Sequence, residues 1–122
     1  MPASATLKGS ATLRRNANVE GGKDIDKLDT YLNNTASWTF KADGTIPSAE
    51  ITVSASGESR YLDIYLDNVC IVRKLKFISE DYTHPVLVSA GKFNIGAGNH
   101  TLTIANGQGN WGPIVAYVSI KG

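Results

Sequence analysis

The sequence predicts an all-β domain, an antiparallel β-sandwich of the jelly-roll kind. Three observations carry that expectation. Apolar and polar residues alternate with a period of two over most of the chain, the period at which a strand turns one face to a core. The alternating runs are short, rich in β-branched and aromatic residues, and bounded by Gly, Asn, Asp or Pro. A helical period is nowhere sustained.

The elements follow in chain order. Ala5 to Leu13 gives a weak strand signal. The polar stretch from Asn16 to Asn34, with Gly21-Gly22 inside it, predicts a binding loop or a crossing segment, because strand signals flank it. Within it, Asp24 to Asp29 has room for one short helical turn. In Ser37-Trp38-Thr39-Phe40-Lys41 the rings fall on one face, which assigns Trp38 and Phe40 to the core. Glu50 to Ala55 repeats the pattern. Tyr61 to Asp67 turns Leu62, Ile64 and Leu66 inward and leaves Tyr61, Asp63, Tyr65 and Asp67 together on the other face. Val69 to Ile78, Val86 to Ser89, Lys92 to Ile95, Thr101 to Ile104 and Ile114 to Ile120 complete the set. Asp43-Gly44, Ser56-Gly57, Ala90-Gly91 and Gly96-Ala97-Gly98-Asn99 read as turns, where positive φ is tolerated.

Composition narrows the class. A chain of 122 residues with 42% hydrophobic and 19% charged residues can bury one core and does not belong to the disordered class. The expectation is a single module over 1–122, excised from a larger protein, since the chain opens abruptly at Met1-Pro2-Ala3. A formal net charge of +1 supplies no electrostatic reason for a nucleic-acid or anionic-membrane partner, and no apolar segment is long enough to span a bilayer. The densest basic group, Arg73-Lys74 with Lys76, sits inside an apolar run and reads as a solvated strand face. Cys70 is the one cysteine, so no internal disulfide forms; within Val69-Cys70-Ile71-Val72 it reads as a buried, inert thiol. Asn33-Asn34-Thr35 and Asn99-His100-Thr101 match the N-glycosylation pattern, which matters only on a eukaryotic secretory route.

Catalytic chemistry needs convergent groups, and few are present. His84 and His100 lie in turn regions with no Cys or Glu at metal spacing. No serine sits in a Gly-x-Ser-x-Gly elbow. Asp63 with Asp67 is a conceivable carboxylate pair for glycoside hydrolysis, but alternating acids on a solvated sheet face explain it as well. Asp24, Asp26 and Asp29 are the one acidic cluster suited to calcium, without EF-hand spacing or its bidentate glutamate. The expectation is no enzyme, no cofactor and no metal.

The aromatics point to a ligand instead. Gly107-Gln108-Gly109-Asn110-Trp111-Gly112-Pro113 carries too many strand breakers for a ladder, so Trp111 lies in a surface loop beside the Asn110 amide. Tyr31 and Tyr82 share that loop context, beside Asn33 and Asn34 and beside His84 respectively. Aromatic faces next to amides suit a sugar, whose apolar C–H groups stack on a ring while its hydroxyls bond to Asn. The candidate ligand-binding residues are Trp111, Asn110, Tyr82, Tyr31, His84 and Asn33.

The order of features also resembles a known group. Ala5-Thr6-Leu7-Lys8-Gly9-Ser10-Ala11, Gly21-Gly22-Lys23 and Ser37-Trp38-Thr39-Phe40 are similar to the opening of carbohydrate-binding modules of families 6 and 35. The likeness continues through Ala49 to Val53, Leu62 to Asp67, and Gly98-Asn99-His100-Thr101-Leu102-Thr103-Ile104. The resemblance implies a galactose-binding-like jelly roll, often appended to a glycoside hydrolase, with a ligand pocket at its loop tips. Tyr31, Tyr82 and Asn110 with Trp111 are the nearest matches to the pocket residues. Two departures stand out: the Glu-x-Glu of the structural calcium site is absent near Met1 to Ala3, and Ile114-Val115-Ala116 replaces the closing Asn-Ile-Asp. They leave two alternatives, a calcium-free pocket rebuilt around Trp111 or a module that has lost sugar binding. The expected function is non-catalytic carbohydrate binding that targets a covalently linked glycoside hydrolase or similar domain, in a secreted or cell-surface monomer. The rival is a structural or protein-interaction sandwich packed on a neighbouring domain.

Overall fold

The computed structural model describes residues 6–8, 12–15, 23–26, 35–57, 60–79, 85–106 and 113–122. Ten strands run through them: β1 (Thr6–Lys8), β2 (Thr12–Arg15), β3 (Lys23–Asp26), β4 (Thr35–Ala42), β5 (Ile46–Ser56), β6 (Arg60–Leu66), β7 (Val69–Phe77), β8 (Val86–Ile95), β9 (Gly98–Asn106) and β10 (Ile114–Lys121). They form two five-stranded sheets, ordered β1-β4-β9-β6-β7 and β2-β3-β10-β5-β8. Every pairing in the registers is antiparallel. The predicted all-β jelly roll is the observed fold.

The core fills the space between the sheets with the inward side of the alternation. Trp38 of β4, Leu62 and Ile64 of β6, and Leu102 and Ile104 of β9 face Ile51 and Val53 of β5 and Val115 and Val118 of β10. Phe77 closes the layer at the end of β7. Leu62, Ile64, Ile51, Val53 and Phe77 are fully buried, and each contributes about 1.5–3 kcal/mol of apolar transfer free energy. Phe40 and Leu66 are half-buried and join this core to a smaller cluster of Ala42, Ala49 and Ile95.

Several local readings are corrected. The weak signal from Ala5 to Leu13 is two short strands in opposite sheets, so the chain changes sheet between β1 and β2. The polar stretch from Asn16 to Asn34 contains a strand where a helical turn had room: β3 pairs with β2, with Arg14 opposite Asp24 and Leu13 opposite Ile25. Ala90-Gly91 is not a turn. β8 runs through it unbroken, with Ile51 opposite Gly91 and Thr52 opposite Ser89, so Ala90 is an extra residue and Gly91 (φ 116°) absorbs the bulge. Cys70 is half-buried rather than buried, because it stands at the start of the edge strand β7 beside a hairpin turn. Asp67 leaves the strand: with Asn68 it forms that two-residue turn, at φ 50° and 67°, the positive pair that a type I′ hairpin requires.

Candidate functional site

The registers fix which strand ends lie together. Thr35 at the start of β4 is opposite Ala105, and Asn106 at the end of β9 is opposite Leu62. Arg60 at the start of β6 is opposite Phe77 at the end of β7. In the other sheet Ile114 at the start of β10 is opposite Ser56, and Val86 at the start of β8 is opposite Ala55. Antiparallel pairing of Val115 with Ile25 points β3 the same way, so Asp26 also ends there. The described strand ends that bound 27–34, 80–84 and 107–112 therefore share one end of the sandwich, which is where the sequence expects its pocket.

Tyr31, Asn33, Tyr82, His84, Asn110 and Trp111 themselves lie outside the described residues. What the structure defines is the rim that carries these segments. Gly57, after β5, donates its N–H to Ser79 Oγ at 2.9 Å, and Ser79, after β7, donates its N–H back to the Gly57 carbonyl at 3.0 Å. These reciprocal bonds tie the ends of two strands from different sheets. Ser79, Gly57 and Pro113 are all buried. A Cβ on Gly57 would lie 2.5 Å from Arg60 Cγ and 3.6 Å from Pro113 Cα, so glycine permits the close approach of three chain segments. The signal for this latch was half legible: Ser56-Gly57 reads as turn punctuation, but nothing local to Ser79 names its partner.

At the other end of the sandwich a second polar cluster joins two turns. Asp67 Oδ1 accepts the Thr101 N–H at 2.9 Å, and Asp67 Oδ2 lies 2.6 Å from His100 Nδ1. His100 Nε2 lies 2.6 Å from the Gly96 carbonyl oxygen. Carbonyl and carboxylate oxygens only accept, so these two contacts favour the imidazolium form, with a proton on each ring nitrogen. The Asp67 hydrogen bond, then the Gly96 carbonyl, raise the His100 pKa. The His100 bond and then the Thr101 N–H hold the Asp67 carboxyl below the usual range. Phe40 packs on the imidazole, with centroids 5.5 Å apart. An open cleft of about 520 Å³ beside it is lined by Thr39, Phe40, Lys41, Asn99, His100 and Thr101.

The possible catalytic pair is committed elsewhere. Asp63 is buried and accepts the Lys74 N–H at 2.9 Å, while Asp67 holds the two turns. Both carboxylates are acceptors for backbone donors rather than a facing acid and base. No group of three or more His, Cys, Asp or Glu suited to a metal occurs among the described residues, and of the acidic cluster Asp24 and Asp26 lie in β3 while Asp29 lies outside them. Ile114, Val115 and Ala116, which stand where the resemblance implies a closing Asn-Ile-Asp, carry no side-chain oxygen for calcium, and the positions near Met1 to Ala3 lie outside the described residues.

No protein-family model matches this sequence, and no curated protein matches it. Solved structures do. A family 35 carbohydrate-binding module from Paenibacillus barcinonensis superposes with a TM-score of 0.83 at 17% identity, over 99% of this chain and 95% of that one. A family 35 carbohydrate-binding module from Clostridium thermocellum gives 0.81 at 17% identity, over 100% of this chain and 97% of that one. The GH26-CBM35 β-(1,4)-mannanase of Podospora anserina gives 0.81 at 14% identity; this chain is matched over 99% of its length and spans 26% of the enzyme. The chain has the fold of family 35 carbohydrate-binding modules over its whole length.

Proposed function

We propose that this protein is a non-catalytic carbohydrate-binding module that holds a polysaccharide or glycan at the loop end of the sandwich. Trp111 with Tyr82 or Tyr31 supplies stacking faces, and Asn110, Asn33 and His84 supply hydrogen bonds to sugar hydroxyls. The observation that carries the reading is the convergence of strand ends: the segments bearing all six residues leave the described strands at one end of a fold shared with family 35 modules. A shallow site of one or two stacked rings gives modest affinity, because hydroxyls must be desolvated and loops ordered. Its use is to keep a covalently linked glycan-active enzyme near its substrate by raising effective concentration. The mannanase, whose name joins a hydrolase family to a family 35 module, supports that arrangement. A secreted or cell-surface monomer follows from the same reading.

Affinity electrophoresis against plant, microbial and host polysaccharides tests this. The wild-type chain is expected to be retarded by at least one neutral glycan, and Trp111→Ala to abolish that retardation while melting as a folded domain. Absence of retardation across all of them sinks the reading.

A second reading, a sandwich that packs on a neighbouring domain, draws on Ile78 and Leu87, which are 62% and 60% exposed on either side of residues 80–84. Under it the chain binds no sugar, so glycan retardation is absent in the wild type, and Ile78→Ser with Leu87→Ser weakens association with the neighbouring domain.

A further inference from the structure

The end of the sandwich away from the candidate site has an apolar seam. Phe40 and Ala42 of β4, Ile46 at the start of β5 and Ile120 of β10 line a cleft of about 290 Å³ between the sheets, with Lys41 and Ser119 at its rim. Ala42 is buried there, but Phe40, Ile46 and Ile120 are only half-buried. Along this seam β4 outruns its neighbour. β1 pairs with it from Lys8 opposite Thr35 to Thr6 opposite Ser37, whereas β4 continues to Ala42. From Thr39 to Ala42 the registers of the described residues give β4 a partner on its β9 side alone. Strand-edge amides and carbonyls beside an apolar cleft are the arrangement to which an extended segment adds as a further length of strand.

The segment whose pattern matches that edge is the one leading into β1. Because β1 is antiparallel to β4, each residue before Thr6 steps one further along β4. Ala5 reaches Trp38, Ala3 reaches Phe40 and Met1 reaches Ala42. Cross-strand partners share a face of the sheet, and Leu7 stands opposite the fully buried Ala36. The inward positions are therefore Leu7, Ala5, Ala3 and Met1, and the outward ones are Lys8, Thr6, Ser4 and Pro2. Every inward residue is apolar, with small alanines set against the large rings of Trp38 and Phe40. Pro2 falls on an edge strand, where a residue without an N–H is tolerated. A slip of one residue would turn Ser4 and Thr6 to the core, so the same pattern selects the register.

We propose that the seam is a docking surface for this chain's own Met1–Ala5, which prolongs β1 along the Thr39–Ala42 edge as a strap. Ala5 and Ala3 face the rings of Trp38 and Phe40, and the strap covers the cleft that Phe40, Ile46 and Ile120 leave half open. Its backbone satisfies the β4 edge, and its inward side chains remove apolar surface from water. The end opposite the candidate site is thereby closed by side-chain packing and strand pairing, with no ion in the arrangement. The strap is independent of sugar binding at the loop end.

Thermal unfolding of the full chain and of single variants tests it. Ala3→Asp and Ala5→Asp put a charge on the inward face, and each is expected to lower Tm by roughly 5 °C or more. Ser4→Asp, on the outward face, is expected to leave Tm within about 3 °C. Loss at both alanines with Ser4 silent supports the strap; any other pattern overturns it, including equal tolerance at all three positions. Deletion of residues 1–5 keeps the test decisive if a charged variant fails to fold. It is expected to lower Tm and to raise the fluorescence of the apolar dye ANS, and no change in either overturns the proposal. Melting of the wild type is repeated over a hundredfold range of protein concentration. A constant Tm supports a strap within one chain, whereas a Tm that rises with concentration assigns the segment to a second copy and overturns it.

Discussion

Replacing Ser79 by alanine removes one atom from the rim and leaves a specific debt. Ser79 Oγ is the acceptor for the Gly57 N–H at 2.9 Å, and both residues are buried. Without the hydroxyl, that N–H is stranded away from water, which costs about 1–3 kcal/mol. The Ser79 N–H bond to the Gly57 carbonyl remains, so the strand ends should stay close and the fold should persist. For a domain of this length the loss lowers Tm by roughly 5–15 °C, and it moves the urea midpoint with an unchanged m-value. Ser89→Ala is the matched control. Its Oγ donates to Glu50 Oε2 at 3.0 Å and accepts the Gly91 N–H at 3.2 Å, but on an exposed face, so the change should stay within about 0.5 kcal/mol. Urea unfolding of both variants decides the matter. If Ser79→Ala and Ser89→Ala lose the same small amount, burial is not what gives the latch its strength and the account of the rim is wrong. Hydrogen exchange adds a local reading, since Gly57 should lose protection in Ser79→Ala before the core strands do.

The remaining predictions concern the far end and the bulge. His100 has a pKa raised above its ordinary 6.5, so the stability it supplies is complete below that value and is lost as pH rises through the folded-state pKa. Asp67, lowered from 3.8, contributes above that value and loses its contribution as pH falls through its own folded-state pKa. The pair is therefore strongest between roughly pH 4 and 6.5, and His100→Gln should flatten the alkaline limb of a stability–pH profile; an unchanged slope above pH 6.5 would falsify the two-acceptor geometry. Gly91→Ala tests the bulge in β8. Its Cβ would meet Phe93 Cζ at an ordinary 3.5 Å, so the expected loss of about 1–3 kcal/mol in thermal or urea unfolding is conformational, from φ 116°, and not steric.

The fold was legible wherever the chemistry is local. Trp38, Leu62, Ile64 and Ile104 announce their burial by alternation alone, since a strand has no other way to present every second residue to a core. β3 was not legible, because Lys23-Asp24-Ile25-Asp26 holds one apolar residue among three that strands disfavour, and its partners on β2 and β10 are distant choices of the fold. Gly91 shows a different failure: positive φ serves a bulge as well as a turn, and one sequence cannot distinguish them. Asp67-Asn68 carried type I′ chemistry that the alternation of Tyr61 to Leu66 overshadowed. For the candidate site, the sequence supplied the aromatic and amide side chains, while the registers supplied the common end. Neither Gly57 with Ser79 nor His100 with Asp67 was foreseeable, because each joins turns that meet only after both sheets have formed.

The sheet order also constrains how this chain reaches its native state. Within the sheet containing Trp38, one pairing joins consecutive strands through a two-residue turn, the β6–β7 hairpin at Asp67-Asn68. The central pairings, Thr39 with Thr101 and Val53 with Val118, close loops that span much of the sequence. Loop-closure entropy is lost before such contacts return anything, which places the domain among folders on the millisecond-to-second scale. The His100 link needs that hairpin and the late-arriving β9 in place together, so it can be assembled only near the end of folding. Its contribution should accordingly slow unfolding while leaving the folding rate almost untouched.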